Sequence, residues 1–168
     1  MRAFLKTVAV ALVVLPAFVS GTDATETAVP LDKLPKAVTE AIKKMFPTAE
    51  FVQAVQEQDG DDVNYEVLVK VGRKKIDITV EADGDIEGLE KETDLKDLPA
   101  AVLETIEKNY PKAAHKSAEA VYEIEDGKEE LEYYEVQLET ADKKEVEVKV
   151  KANGKLIKDE KEQPTPKK

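Results

Sequence analysis

Two stretches of this chain carry residue types that could do chemistry. His115 lies just after Pro111, with Ser117 two residues on and Lys112 and Lys116 around it, so a base stands near a hydroxyl. Nucleophilic catalysis also needs an acid to orient the imidazole and donors for an oxyanion, and proximity in sequence supplies neither. A lone loop histidine without such partners is ordinarily a surface residue. The second stretch is Asp83, Asp85, Glu87, Gly88 and Asp94, which fall at positions 1, 3, 5, 6 and 12 of a calcium-binding loop. Its flanks argue against that reading, because an alternating strand leads in and a short strand near Ile86 would pull the ligands apart. The chain has no cysteine, which removes thiol catalysis, disulfide exchange and thiolate metal sites. Its other carboxylates are too numerous for any pair to stand out as acid and base. The expectation is no enzyme, no metal site and no cofactor. An acidic, calcium-binding envelope protein is the alternative.

The elements that would position a site are written twice. Leu34-Pro35, Val38, Ile42 and Phe46-Pro47 are matched by Leu98-Pro99, Val102, Ile106 and Tyr110-Pro111 at a constant offset of 64 residues. Tyr65-Glu66-Val67 is matched by Tyr134-Glu135-Val136 at an offset of 69, and Asp83-Gly84 by Asn153-Gly154 at 70. An ordered pattern repeated with small insertions marks a duplicated structural unit. The first run of each copy is one apolar helical stripe, opened by a proline in the first turn and stopped by a second proline. Period-two runs follow. Tyr65, Val67, Val69 and Val71, then Ile76, Ile78 and Val80, share one face in copy one. Tyr134, Val136 and Leu138, then Val146, Val148 and Val150, do so in copy two. That is the pattern of antiparallel strands with one buried and one wet face. Weaker strands precede these pairs and a short one follows each, near Ile86 and Leu156. Asp83-Gly84 and Asn153-Gly154 are read as hairpin turns with positive φ at both central residues; Asp59-Gly60 and Asp126-Gly127 mark further turns. The predicted class is α+β: two repeats, each one helix packed on a four-stranded antiparallel sheet. Units of this size are marginal alone, so the two are expected to dock as one cooperative body.

With catalysis set aside, the strands' wet face is the candidate for binding. Leu68 and Tyr133 are its large groups on an otherwise charged surface, and Glu135 and Gln137 flank Tyr133 on alternate positions of one strand. Tyrosine suits interfaces because it is rigid and amphipathic; single exposed apolar residues are also ordinary. Copy two carries an acidic insertion, Glu125 to Glu132, read as a longer loop or hairpin.

The remaining composition bounds partners and location. Arg2 and Lys6 precede an apolar run from Val8 to Val19, and Val19-Ser20-Gly21 has the small residues of a cleavage site, so residues 1–21 read as an export signal. Net charge is −11, and losing the two leader cations makes it −13. That disfavours nucleic acid and anionic membrane. The organisation expected is a signal over 1–21, a flexible lead-in over 22–29, repeats over 30–93 and 94–160, and a disordered tail over 161–168. No membrane insertion of the mature chain is expected.

The Leu-Pro-x-x-Val-x-x-x-Ile-x-x-x-(Phe/Tyr)-Pro-x-Ala run, followed by Tyr-Glu-Val and (Asp/Asn)-Gly and occurring twice, resembles the PepSY-like domains of exported bacterial proteins. In tandem it is similar to the beta-lactamase-inhibitor-like, PepSY-like group. The resemblance implies a periplasmic or secreted, non-enzymatic domain that binds a protein or peptide through an open sheet face and hairpin loops, in an inhibitor-like or envelope regulatory role. Inhibitory relatives are richer in aromatics and carry disulfides, whereas this chain has no Trp and no Cys; no inhibitory residue is carried over.

Overall fold

The two apolar stripes form the two helices, α1 (Lys36–Met45) and α2 (Ala100–Asn109). Pro35 and Pro99 sit at the N-caps, where a missing N–H costs nothing. The Phe46 and Tyr110 N–H groups donate to the carbonyls of Ile42 and Ile106 at 2.7 and 2.8 Å, and the following prolines end each helix. Val38, Ile42, Val102 and Ile106 are buried, so each stripe faces the sheet.

The computed structural model describes residues 25–59 and 62–161. Its nine strands are β1 (Thr25–Ala28), β2 (Glu50–Asp59), β3 (Asp62–Val71), β4 (Lys74–Glu81), β5 (Ile86–Glu92), β6 (Ala114–Glu125), β7 (Lys128–Glu139), β8 (Glu145–Val150) and β9 (Leu156–Lys161). They form one antiparallel sheet in chain order. The four-stranded sheets expected of the two copies are thus parts of one continuous sheet, to which β1 adds a ninth strand. The last strand of copy one, β5, pairs with the first of copy two, β6, from Gly88↔Glu123 to Glu92↔Glu119. Two small sheets side by side would each leave a row of unpaired backbone groups at the shared boundary, and pairing satisfies both rows. The joint reaches the core as well, because Tyr122 and Ile124 of β6 pack against the buried cluster under α1. Lys91 of β5 pairs with Glu129 of β7 at 2.5 Å and lies over the Tyr122 ring.

The ninth strand comes from the segment expected to be a flexible lead-in. Thr25–Ala28 pairs with β2 from Thr25↔Gln58 to Ala28↔Val55. Its four residues are all exposed, so no apolar alternation announces it. The leader over 1–21, the rest of the lead-in up to residue 24, the Gly60 turn and the tail beyond residue 161 lie outside the described residues. The acidic insertion takes the longer-hairpin form. It lengthens β6 and β7 to 12 residues each, joined at Asp126-Gly127.

The turns also differ from expectation. Asp126 (φ 50°) and Gly127 (φ 72°) both have positive φ, the geometry of a two-residue hairpin loop. At Asp83-Gly84 and Asn153-Gly154 only the glycines do, at 96° and 83°. There the Asp83 carboxylate accepts from the Asp85 N–H at 3.1 Å, and Asn153 Oδ1 accepts from the Lys155 N–H at 3.0 Å. Both glycines lie directly under a helix. A Cβ on Gly84 would stand 2.9 Å from the Ala37 carbonyl oxygen, and one on Gly154 would stand 2.8 Å from that of Ala101. Thr105 Oγ1 donates to the Gly154 carbonyl at 2.7 Å. These turns therefore set how closely each helix seats on the sheet.

Irregularities repeat as well. A bulge between Phe51 and Gln53 recurs between His115 and Ser117, and one at Thr79/Val80 recurs at Lys149/Val150. The copies share distortions as well as elements, as expected of a duplicated unit.

Candidate functional site: the helix-free sheet face

Both helices pack on one side of the sheet, and the cross-strand register defines what the other side presents. One row runs Leu68↔Asp77↔Glu90↔Val121↔Tyr133 across β3 to β7. The next runs Glu92↔Glu119↔Glu135↔Lys149 across β5 to β8. Two carboxylates thus face each other at Asp77↔Glu90, and three stand in series from Glu92 to Glu135. Like charges directly opposite on a sheet are destabilising. Burial compounds this. It pushes the Glu90 carboxyl up to about 9, helped by Glu135, Glu119, Asp77 and Glu66. It also pushes Glu66 up to about 7, helped by Glu57, Glu26 and Asp77. Asp77 and Glu119 rise for the same first reason, with Lys75 pulling each back.

At the copy-two end a cation is built in. Lys149 is 3% exposed, and its Nζ lies 3.1 Å from both Glu135 Oε2 and Glu147 Oε1. The ammonium attracts each oxygen as a charge at close range without the alignment of a hydrogen bond. Gln137 Nε2 donates to the other Glu147 oxygen at 2.9 Å, and the Tyr133 ring stands 5.6 Å from Nζ. Burial works against the Lys149 ammonium, but Glu135, then Tyr133 and Glu147, outweigh it and hold its pKa above the ordinary lysine value. Burial and the neighbouring Glu147 lift Glu135, against the pull of Lys149. One ammonium shared by two buried carboxylates leaves the cluster short of positive charge.

Of the residues singled out in the sequence, Tyr133, Glu135 and Gln137 come together around Lys149, as successive residues of one strand face. Leu68 does not join them. It lies in the same cross-strand row as Tyr133 but four strands away, roughly 19 Å by strand spacing. Period-two alternation places Glu147 and Lys149 on the wet face without singling them out, whereas Glu90 and Glu119, on the weaker strands, were missed; only the register shows which of the four stand opposite which acids.

The two chemical stretches resolve differently. His115 lies in β6 opposite Leu138 on the helix side, not in a loop. The bulge after it places Ser117 opposite Gln137 on the helix-free side, so the pair points to opposite faces. In the calcium-like stretch, Asp83 closes its own turn and Glu87 accepts from Asn64 Nδ2 at 3.3 Å. The chain is extended from Ile86 to Glu92, separating Asp94 from the others. Among the described residues, no three Asp, Glu or His side chains gather as a cation site. Nor, among them, is any helix long and apolar enough to cross a membrane.

Solved structures share this architecture. A DUF2874 family protein of Bacteroides uniformis matches with a TM-score of 0.62 at 15% identity, over 76% of this chain and 88% of that one. A protein of Bacteroides eggerthii, described among "putative periplasmic proteins", matches with a TM-score of 0.62 at 16% identity, over 76% and 88%. A BLIP-like protein of Bacteroides fragilis matches with a TM-score of 0.58 at 19% identity, over 80% and 91%. At these identities the likeness is one of fold. Among curated proteins, none matches the chain. A family profile matches the sequence twice, over residues 20–88 and 64–158, in step with the duplicated helix-and-sheet unit. The chain belongs to the family described as "Putative beta-lactamase-inhibitor-like, PepSY-like".

Proposed function

We propose that this is an exported, non-catalytic binding protein that recognises a protein or peptide through the helix-free sheet face, acting in the periplasm or as a secreted protein. The observation that carries this is the register of that face. Carboxylates stand opposite carboxylates across β4 to β7, partly buried, with fewer cations than they need. Such an arrangement costs the free protein stability, and a cationic partner offsets that cost. Tyr133 and Gln137 border it with a rigid ring and an amide. The non-catalytic reading is supported by the opposite facing of His115 and Ser117. The exported reading is supported by the leader-like residues 1–21 and by the description of the Bacteroides eggerthii neighbour. In this reading residues 30–93 and 94–160 are the two repeats, with Lys161 ending the last strand of the second. A calcium-binding role draws no support from the extended course of residues 86–92.

Affinity capture from the native envelope fraction, with wild-type protein and Tyr133→Ala as paired baits, tests the reading. A protein or peptide held by wild type and lost by the variant is the expected result. Identical recoveries from both baits, or none from either, would count against it.

A further inference from the structure

The two copies place nearly the same acids on the helix-free face but not the same cations. In copy two, Glu135 stands opposite Lys149, and Gln137 stands opposite Glu147. In copy one the equivalent pairs are Glu66 opposite Thr79 and Leu68 opposite Asp77. The match extends one strand further. Thr79 is opposite Gly88 and Asp77 opposite Glu90, where copy two has Lys149 opposite Lys158 and Glu147 opposite Glu160. All three acids are therefore kept: Glu66, Asp77 and Glu90 for Glu135, Glu147 and Glu160. Both lysines are gone, replaced by a short hydroxyl and by no side chain at all.

Copy two shows what such a setting holds. An ammonium lies 3.1 Å from each of two carboxylates there. Copy one has half-buried Glu66, Asp77 and Glu90, with no ion pair to any of the three among the described residues. The strand positions between them carry only Thr79 and Gly88.

We propose that copy one receives from a partner the cation that copy two supplies itself: the ammonium of a lysine side chain, on a basic segment laid across β3 to β5, enters over Thr79 and Gly88 between Glu66, Asp77 and Glu90. This rests on the reading of the helix-free face as the recognition surface and names the chemistry it selects. A long aliphatic stem ending in a compact point charge fits a position where the sister copy seats that same side chain.

The test is calorimetric titration of the full chain with an acetylated, amidated hexalysine peptide. The same peptide acetylated on every ε-amine, and calcium chloride, serve as comparison titrants. The decisive variant is Thr79→Lys, which transplants the copy-two lysine. Thr48→Lys makes the same charge change in the exposed turn after α1. Hexalysine binding is expected to weaken about tenfold or more in Thr79→Lys and in Glu66→Gln, and less than about twofold in Thr48→Lys. The ε-acetylated peptide is expected not to bind. Thr79→Lys is expected to melt cooperatively at a higher temperature than wild type, which separates a filled site from a damaged fold. Equal losses in Thr79→Lys and Thr48→Lys would mean a diffuse field, and the site falls. So would calcium binding that Thr79→Lys abolishes while hexalysine gives no heat. If Tyr133→Ala weakens hexalysine but Thr79→Lys does not, the ammonium site fails while the face survives. If neither changes binding, both readings fail.

Discussion

The two sides of the sheet differ in how faithfully they repeat. Toward the helices the copies match position by position: Val38 and Val102, Ile42 and Ile106, Val67 and Val136, Ile78 and Val148, Val80 and Val150. Away from them the copies part, with Asn64 against Tyr133, Leu68 against Gln137 and Thr79 against Lys149. Shape explains the first. A packed interior admits only apolar side chains of similar volume, so both units keep aliphatic residues there, with changes as small as Ile78 to Val148 and Ile76 to Val146. The wet face carries no such constraint, and a difference there alters charge without altering fold. The fold is thus a shared property of the copies, and in the proposed reading recognition is a property of their differences.

Removing the internal cation tests that contrast most severely. Lys149→Met leaves Glu135 and Glu147 buried beside each other with no counter-charge, and breaking a buried pair this way costs about 3–5 kcal/mol. Chemical denaturation at pH 9, above the value of about 8 to which burial and Glu147 raise Glu135, should show that loss. It should shrink toward neutral and acid pH, where protonation of Glu135 removes one of the uncompensated charges. A loss that does not vary with pH would mean the lysine matters for its packing alone. On the other side, Ile42→Ala and Ile106→Ala should each cost about 2–5 kcal/mol, by similar amounts. Because β5 pairs with β6 and Tyr122 reaches the core under α1, either variant should still unfold in one transition. Two separated transitions would show that the copies are independent after all.

The helix seats give a smaller effect with a built-in control. Gly84→Ala and Gly154→Ala place a methyl at positive φ against a helix carbonyl, for about 1–3 kcal/mol. Gly127→Ala has the same kind of φ, 72°, and nothing within 4 Å, so it should cost only about 1 kcal/mol. The difference between the two kinds of turn, read from denaturation midpoints, measures the close approach itself. Equal costs would show that the turns do not seat the helices.

These same turns show what a sequence can and cannot disclose. Asp83-Gly84 and Asn153-Gly154 announce a reversal, and a reversal is there. The helix above each glycine is a tertiary contact, and no local signal carries it. Helices, alternation and duplication were legible because each rests on a period of a few residues: Val38 to Ile42, Val67 to Val69. The join of β5 to β6 was not, since both strands follow the same alternation whether their edges meet each other or water. β1 was invisible for a simpler reason, as four exposed residues bury nothing. Among the site residues, Tyr133, Glu135 and Gln137 could be picked by lying two apart on a wet strand. In the sequence Lys149 is one of many interspersed charges, because burial on the side away from the helices depends on its neighbours in the register. Leu68 stands out there by its size, which says nothing about distance.

The mildest effect comes from the carboxylates themselves. Glu66 and Glu90 have folded-state values of about 7 and about 9, above the ordinary 4.5, because burial and neighbouring acids disfavour their charge. Between the ordinary and raised values the folded chain holds protons that the unfolded chain has released. Stability from these groups is therefore complete below about pH 4.5 and is lost as pH rises through 7 and then 9. Glu139 and Asp142 act in the opposite sense, being held low by hydrogen bonds from Lys143 and from Thr140 respectively. Their contribution is lost only in acid, below the ordinary carboxylate range, so it does not mask the trend above pH 5. The thermal midpoint of the wild type should fall steadily from pH 5 to pH 9. Glu90→Gln, which cannot ionise opposite Asp77, should flatten that slope and melt higher than wild type at pH 9 while differing little at pH 5. A midpoint that holds level or climbs over the same range would show that the acids of the helix-free face ionise freely. The face would then have no strain for a cationic partner to relieve, and its contrast with the partly neutralised cluster around Lys149 would be one of composition alone.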